Sequence, residues 1–267
     1  MDSFEIIYPS PALSPYVKYY WILKTGGTQP VKERIIPTGC LSLVFHRGER
    51  MFSSSGNCFQ PRFFICGQSL NYSDLDANGH VNMIVVVFQP WGAKAFLTMP
   101  MDEFFNHDIS FDEINNKELN ELSDKIIDIP DNRNCIELIE YHLTKQLYLL
   151  KEYNFKRINA AIKAINTTPQ IGVGSLSDIA CLSDKQFNRI FSEYVGAKPK
   201  EYMRIIRFQR ALYTLQTKPG INLTELALDS GYYDQSHCIK EFKALSGYTP
   251  KEYLNTCAPY SDYFSIP

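Results

Sequence analysis

The side chains that could perform catalysis or bind metal show none of the spacings such sites need. The five histidines form no H-x-x-x-H or H-x-E pair, and the seven cysteines are scattered with no C-x-x-C pair. These spacings are typical of zinc sites, and clustered cysteines of disulfide frameworks. The sequence also has no G-x-S-x-G, Walker or G-x-G-x-x-G motif. We therefore expect no enzyme, no metal and no cofactor.

Two stretches near the C-terminal end contain the residue types that read DNA bases. Residues 185–189 and 235–240 combine Lys, Arg, Asn, Gln and Ser side chains. Arg and Lys can donate to O6 and N7 of guanine, and Asn and Gln can pair with adenine. Polar residues on a helix are usually just solvated, so the interpretation depends on the elements that carry them.

An internal repeat identifies those elements. Residues 196–203 (GAKPKEYM) recur as residues 247–254 (GYTPKEYL), an offset of 51 that also aligns Phe191 with Phe242. Two copies are too few for a solenoid. The repeat therefore predicts two similar small helical subdomains.

The second copy has the pattern of a helix-turn-helix unit. A short helix over 223–228 includes Ala227, which is small enough for the next helix to cross closely. Gly231 permits the turn, and Asp234 is a good cap for a helix that runs through residue 243.

The first copy repeats the pattern, with a helix beginning at Leu176, a turn at 181–182 and Ser183 as the cap. Between the copies, Pro199 suits the first position of a helix that continues to Gln216, and residues 218–220 (KPG) stop it. About 18 helical residues span roughly 27 Å. Such a helix could place two recognition helices about one DNA turn apart, roughly 34 Å.

The segments LSDKQFNRIF (182–191), ALDSGYYDQSH (227–237), EFK (241–243) and GYTPKEY (247–253) resemble the AraC/XylS family of transcription regulators. The resemblance covers residues 155–254 and implies an all-α DNA-binding domain with two helix-turn-helix units. Two positions depart from the family. Ser177 stands where Ala is usual, and Cys238 where a larger apolar residue is usual. Both departures predict small packing changes.

The resemblance also implies which side chains face DNA. In the two recognition helices these are Lys185, Gln186, Asn188 and Arg189, and Gln235, Ser236, His237 and Lys240. A further basic group is expected to meet phosphates or to form surface pairs: Lys198, Lys200, Arg204, Arg207 and Lys243.

The charge distribution separates the two halves of the chain. Residues 1–154 contain 13 Lys and Arg against 19 Asp and Glu, and residues 155–254 contain 14 against 9. An acidic first half joined to a basic last third is typical of a nucleic-acid-binding module attached to another domain. We therefore predict a regulatory, sensor or dimerisation domain over 1–150 and a DNA-binding domain over 155–254.

The first domain is predicted to begin as β-structure. Apolar runs at 33–37, 41–46, 62–66 and 80–88 indicate strands, and the continuous run 83–88 a central strand. The predicted fold class is α+β, with an N-terminal antiparallel β sandwich or barrel and flanking helices before the all-α C-terminal domain.

After the strands, short helices are expected over 92–97, 101–105 and 119–129. A longer helix follows residue 132, and residues 151–154 are expected to form a linker. One face of the longer helix either packs on the sheet or forms a dimer seam; its residues are Ile136, Ile139, Leu143, Leu147 and Leu150.

The front half also resembles the compact, cupin-like β-domains found in some AraC-type regulators. The matching segments are Trp21, 34–40 (RIIPTGC), 41–46 and 87–93 (VFQPWGA). A candidate effector pocket would then lie near Trp21, His46, Phe88 and Trp91. The alternative is that these aromatics are core residues.

The sequence thus predicts a cytoplasmic DNA-binding transcription regulator, either an activator or a repressor. Double-stranded DNA is its partner at two adjacent major-groove segments, and RNA polymerase, a small-molecule effector and a second copy are candidate partners. No stretch reaches the roughly 18 apolar residues of a membrane helix, and we expect no secretory signal. Two alternatives stay open, an architectural DNA binder and a DNA-alkyl-transfer protein. The latter would need an activated cysteine, and Cys40, Cys58 and Cys66 lack the basic neighbours that would supply one.

Overall fold

A computed structural model describes residues 3–27, 30–147, 152–218 and 220–256. The chain begins with a β-rich part and ends with a helical part, which confirms the predicted α+β class. The strands are β1 (Ser3–Ile7), β2 (Val17–Lys24), β3 (Val31–Ile35), β4 (Ser42–His46), β5 (Phe52–Ser53), β6 (Cys58–Phe59), β7 (Phe63–Cys66), β8 (Ser73–Ala77), β9 (Asn82–Phe88) and β10 (Asp108–Ser110).

The strands form two antiparallel sheets. The larger sheet has the strand order β1-β2-β9-β4-β7-β10, and the smaller sheet has the order β3-β8-β5-β6. Strand β9 lies between β2 and β4, and its alternate residues enter two different apolar clusters. The prediction that 83–88 is a central strand is confirmed. One cluster separates the two sheets, and the other lies between the larger sheet and the helices that follow it.

The helices after the strands cover the outer face of the larger sheet. They are α1 (Phe111–Ile114), α2 (Lys117–Asp128) and α3 (Asn132–Lys145), preceded by short 3-10 helices at Gly92–Ala95 and Met101–Phe104. On α3, Ile136, Ile139 and Leu143 are buried in the same cluster as Ile84 of β9. The packing interpretation of this face is therefore confirmed. Leu147 follows the end of α3, and Leu150 lies outside the described residues.

Several sequence predictions for this half differ from the structure. Strands β1, β2, β5, β6, β8 and β10 were not predicted. Strand β8 (SDLDA) is mostly polar and gave little signal, whereas the apolar run of β2 (VKYYWILK) and the two glycines that follow it were an available signal. The strand expected at 33–37 is β3, which ends at Ile35, two residues before Pro37. The expected linker 151–154 is wrong from residue 152 onward, since α4 begins at Glu152; Lys151 lies outside the described residues.

The helical part consists of α4 (Glu152–Thr167), α5 (Val173–Ile179), α6 (Asp184–Val195), α7 (Pro199–Thr217), α8 (Leu223–Ser230), α9 (Gln235–Ser246) and α10 (Pro250–Thr256). Pro199 occupies the first turn of α7, as predicted, and the helix ends one residue after Gln216. Pro219 lies outside the described residues. None of the described helices is long and apolar enough to cross a membrane.

Each half of the helical part has its own core. Helices α4, α5 and α6 share one buried cluster with the start of α7, and the rest of α7 shares another with α8, α9 and α10. We call α5 with α6 the first unit and α8 with α9 the second unit. Helix α7 belongs to both cores and therefore fixes the separation of the units.

Glu33 of β3 is a buried carboxyl whose ionisation opposes folding. Its side chain is 7% exposed, and Oε2 has no hydrogen-bond partner among the described residues. Burial raises the pKa of Glu33 to about 7, whereas its ordinary value is 4.5. Between these values the folded chain binds more protons than the unfolded chain. The free energy of unfolding therefore falls as pH rises from about 4.5 to about 7 and this contribution is constant above that range.

Between pH 5 and pH 8, the ionisation of Glu33 should lower the free energy of unfolding of the unmodified chain by about 2–3 kcal/mol. Glu33→Gln should not show this decrease, because the amide does not titrate. Urea denaturation of both proteins at the two pH values measures this difference. The exposed carboxyl of Glu49 provides the control, since Glu49→Gln should keep the full pH dependence. An identical pH dependence in Glu33→Gln and the unmodified chain would contradict the assignment.

Candidate nucleic-acid interface

The two units form their turns with the same backbone hydrogen bond. Leu182 N donates to Ser177 O at 3.0 Å, and Tyr232 N donates to Ala227 O at 2.9 Å. The turns then differ in the residue that takes a left-handed conformation, Cys181 with φ 52° in the first unit and Gly231 with φ 88° in the second. Between this hydrogen bond and the cap of the next helix, the second unit has one more residue, Tyr233.

Side-chain caps fix the start of each recognition helix, α6 in the first unit and α9 in the second. Ser183 Oγ accepts from Gln186 N at 3.4 Å, and Asp234 Oδ1 accepts from His237 N at 2.7 Å. Such caps satisfy backbone N–H groups that have no partner within the helix. Both predicted caps are therefore present, and each lies directly before the residues expected to face DNA.

The inward faces of the recognition helices are apolar. Phe187, Ile190 and Phe191 are buried in the first unit, and Cys238 and Phe242 in the second. These stripes set the rotation of each helix, so that the polar residues in its first half face solvent.

Ser177 has a partner that explains its place in the first unit. It is buried at the crossing of α5 and α6, and its hydroxyl lies within hydrogen-bond distance of Asp184 Oδ1. An alanine could not make this contact. The departure from the family pattern therefore adds a polar link between the two helices of the unit.

In α6 the predicted residues share one outer face. Lys185, Gln186 and Arg189 are exposed, and Asn188 is half-buried with its Nδ2 donating to Asp184 O at 2.7 Å. Arg189 Nη1 lies 3.8 Å from Glu193 Oε2, one turn further along the helix. The Arg189 guanidinium is 70% exposed, so this pair leaves it accessible.

In α9 the corresponding residues lie at the N-terminal end. Gln235, Ser236 and Lys240 are exposed, and Gln235 Oε1 accepts from Thr224 Oγ1 at 3.3 Å. His237 is half-buried, with Nδ1 accepting from Tyr233 N at 3.4 Å. The four residues of α6 therefore lie on one side of the helix, whereas in α9 Gln235, Ser236 and Lys240 are exposed and His237 turns towards Tyr232 and Glu241.

Glu241 is a residue of this region that the sequence reasoning missed. Its carboxylate is 12% exposed and accepts from Arg204 Nε at 2.7 Å and from Arg207 Nη2 at 3.3 Å. His237 Nε2 lies 3.7 Å from the same carboxylate. Of the two roles expected for Arg204 and Arg207, ion pairing is therefore the one observed. The spacing of His237 and Glu241, one helical turn apart, was the available signal.

The four residues of the predicted effector pocket do not converge. Trp21 lines a cavity of about 770 Å³ between the sheets. His46 is buried and stacks on Phe64, and burial lowers its pKa to about 4. Phe88 faces the opposite side of the larger sheet, because strand residues alternate between faces.

Trp91 lies outside the sheets altogether, with its ring 5.8 Å from that of Phe155 of α4. It is half-buried at the edge of the first unit's core. For Phe88 and Trp91 the core alternative therefore describes the structure better than a shared pocket. Within the described part of the chain, no three His, Cys, Asp or Glu side chains are grouped as metal ligands.

Glu241→Gln should lower the free energy of unfolding by about 2 kcal/mol, because it leaves two guanidinium groups without a carboxylate beside a buried core. Urea denaturation measures the loss. The exposed pair of Lys117 and Glu121, 3.6 Å apart, gives the control. Glu121→Gln should cost less than about 0.5 kcal/mol, and equal losses in the two variants would refute the structural role of Glu241.

Two domain families match the chain. Residues 5–110 match a domain of unknown function (DUF6597), and residues 176–256 match a helix-turn-helix domain. An uncharacterized HTH-type transcriptional regulator of Haemophilus influenzae is 30% identical over 119 residues, 43% of this chain and 39% of that protein. A XylDLEGF operon transcriptional activator of Pseudomonas putida is 22% identical over 125 residues, 46% of this chain and 38% of that protein. The chain spans about two fifths of the length of these relatives.

Among solved structures, the DNA-binding domain of AdpA in complex with a target DNA is 22% identical, with 36% of this chain and 88% of that chain covered and a TM-score of 0.35. ToxT from Vibrio cholerae is 11% identical, with 85% and 97% covered and a TM-score of 0.44. TM-scores this low do not by themselves establish a shared fold. The domain match, the sequence relatives and the paired units agree with one another: residues 176–256 are a helix-turn-helix domain, as the resemblance to the AraC/XylS family implies.

Proposed function

We propose that the chain is a sequence-specific DNA-binding transcription regulator that reads two adjacent major-groove segments. The observation that carries the proposal is the pair of capped recognition helices, each with an exposed polar face, on the two sides of α7. This helix has 19 residues, which span about 28 Å. Together with the helices at its ends, it suits two grooves about 34 Å apart.

The proposed base and phosphate contacts come from the exposed faces of α6 and α9. Arg189, Gln235 and Lys240 are the principal residues, because they are exposed and carry donor groups that match base edges. The supporting contacts are Lys185, Gln186, Asn188, Ser236 and His237. Since the two faces differ in composition, the proposed recognition is asymmetric, with each unit reading a different sequence.

The β-rich part is proposed as a regulatory domain over 1–150 that binds a small molecule or mediates dimerisation, with DNA binding over 155–254. Support for binding comes from the cavity between the sheets, whose volume of about 770 Å³ is in the range of ligand pockets. Apolar side chains line much of it, among them Val44, Phe64 and Met83, and Gln68 adds an amide. The site thus keeps Trp21 from the sequence prediction and replaces its other members. Regulation by contact with RNA polymerase in the cytoplasm would complete this function.

The alkyl-transfer alternative is not supported. An activated cysteine needs a lowered pKa. Burial raises the pKa of Cys40, and burial together with the neighbouring carboxyl of Asp108 raises the pKa of Cys66. Nothing specific favours an architectural role over sequence reading. The regulator is therefore the function we propose.

Arg189→Ala should weaken binding to the preferred duplex by about 1–3 kcal/mol, because a donor to a base edge or phosphate is lost. The preferred duplex is first selected from a random library with the full chain, and affinities are then titrated at fixed salt. Arg133 also lies in an exposed ion pair, at 2.6 Å from Glu5, but on α3. Arg133→Ala should leave affinity unchanged. No selected duplex at all would overturn the proposed function, and an unchanged affinity in Arg189→Ala would overturn that contact.

A ligand of the cavity should raise the melting temperature of the full chain, because it binds the folded state alone. Thermal-shift screening with sugars, aromatic compounds and nucleotides measures the effect. Leu75→Trp places a large ring in the cavity lining, so it should abolish the shift for any compound that binds there. An absence of shifts across all three classes would count against sensing, and a shift retained in Leu75→Trp would place the ligand elsewhere.

A further inference from the structure

In each recognition helix, a side chain of the β-rich part donates a hydrogen bond to the carbonyl oxygen of the last helical residue. Gln68 Nε2 donates to Val195 O at 2.5 Å, and Arg34 Nη1 donates to Ser246 O at 3.1 Å. Val195 and Ser246 are the last residues of α6 and α9. They are also equivalent in the internal repeat, separated by its offset of 51. Two unrelated side chains therefore bind matching positions in the two units.

The glycines that follow these residues show how closely the parts approach. Gly196 and Gly247 end the two helices with φ 82° and 78°. A Cβ at Gly196 would lie 3.0 Å from Leu41 Cδ1, and one at Gly247 would lie 2.5 Å from Arg34 Nη1. Positive φ and close approach both require glycine here. The β-rich part therefore docks against the bare backbone at both helix ends.

Neither donor is a loose surface side chain. Arg34 donates to both oxygens of Asp74, at 2.6 and 2.8 Å. Its guanidinium also lies between the rings of Tyr72 and Tyr248, 4.3 and 4.4 Å from their centroids. Gln68 is only 2% exposed. Because a bidentate, stacked guanidinium and a buried amide have little rotamer freedom, these contacts restrict the helix ends they bind.

The connecting helix is held by the same surface. Gln209 Nε2 of α7 donates to Pro37 O at 2.5 Å, and Ile206 packs 3.2 Å from the position of a Cβ at Gly39. The β-rich part thus contacts the first unit, α7 and the second unit. These contacts lie at the C-terminal ends of α6 and α9, so the N-terminal faces that carry the proposed DNA contacts stay exposed.

We propose that Arg34 and Gln68 are positioning residues for DNA recognition. They hold the two recognition helices at one separation and one relative angle, so that the chain selects duplexes by the spacing of the two base segments as well as by their sequence. A recognition helix that was held only by its contacts with α7 could change its angle to α7. The chain would then bind duplexes with several spacings between the two base segments. This proposal rests on the proposed function for its consequence at DNA, while the positioning itself can be measured without DNA.

The separation of the recognition helices is measured by pulsed electron spin resonance on the full chain. Ketone-bearing residues at the exposed positions of Lys185 and Lys240 carry the spin labels, which avoids the native cysteines. In the chain without further substitutions, the distance between the two labels should have one narrow distribution. Arg34→Ala combined with Gln68→Ala should broaden it at least about twofold, since two of the restraining contacts are lost. The control is Arg133→Ala with Gln60→Ala, which removes polar contacts away from both units. An unchanged distribution in the first double variant would overturn the proposal.

The single variants distinguish positioning from a general loss of structure. A reference label at the exposed Glu49 of the β-rich part is paired with one recognition helix at a time. Arg34→Ala should broaden the distances from Glu49 to Lys240 and leave those to Lys185 narrow, and Gln68→Ala should do the reverse. Broadening of both distances in each single variant would indicate destabilisation and would overturn the specific roles.

Spacing selection is tested with the duplex selected by the full chain. Insertion of two base pairs between the contacted segments should weaken the unmodified chain about tenfold or more, because one segment loses its base contacts. In the double variant the same insertion should cost only a fewfold change. An equal penalty in both proteins would overturn the consequence at DNA. If no duplex is selected, the proposed function fails, and the distance measurements still decide the positioning.

Discussion

The arrangement of this protein depends on how each recognition helix satisfies the backbone groups at its two ends. Helix termini leave N–H and C=O groups without partners inside the helix. At the N-terminal ends, Ser183 and Asp234 satisfy donors from within the units. At the C-terminal ends, carbonyls accept from Gln68 and Arg34 of the β-rich part. The end proposed to meet DNA is thus complete within its unit, and the opposite end is completed by the other part of the chain.

Several positively charged side chains of the helical part make internal contacts that stabilise its fold. Residues 155–254 carry 14 basic against 9 acidic side chains, and one of the acidic ones, Glu241, pairs with both Arg204 and Arg207. Arg210 donates to backbone carbonyls at Ile165 and Ser230. These guanidiniums hold α4, α7 and the second unit together. Lys185, Arg189 and Lys240 are exposed on the recognition helices and are available to an anionic partner, whereas the three arginines of α7 serve internal contacts.

Signals that are local in the chain predicted the helical part well. The repeat, the caps and the stop after Gln216 each depend on residues within a few positions of one another, and the structure contains them. The predicted β9 followed from an unbroken apolar run, whereas the mostly polar β8 gave no such signal. The pocket prediction grouped Trp21 with Phe88, which the alternation of strand faces separates. Contacts such as Arg34 with Ser246 join residues 212 positions apart, so no sequence spacing indicates them.

Docking on carbonyls and glycines has a consequence for how such a protein can diversify. The hydrogen bonds from Gln68 and Arg34 reach main-chain oxygens of Val195 and Ser246, the last residues of α6 and α9, whereas the proposed base-reading side chains lie in the first half of each helix. Substitutions on the reading faces therefore do not disturb the joint between the two parts. Sequence preference can therefore change through single replacements in the first half of each helix, while the contacts at the other end, including the Arg34 guanidinium between Tyr72 and Tyr248, are kept.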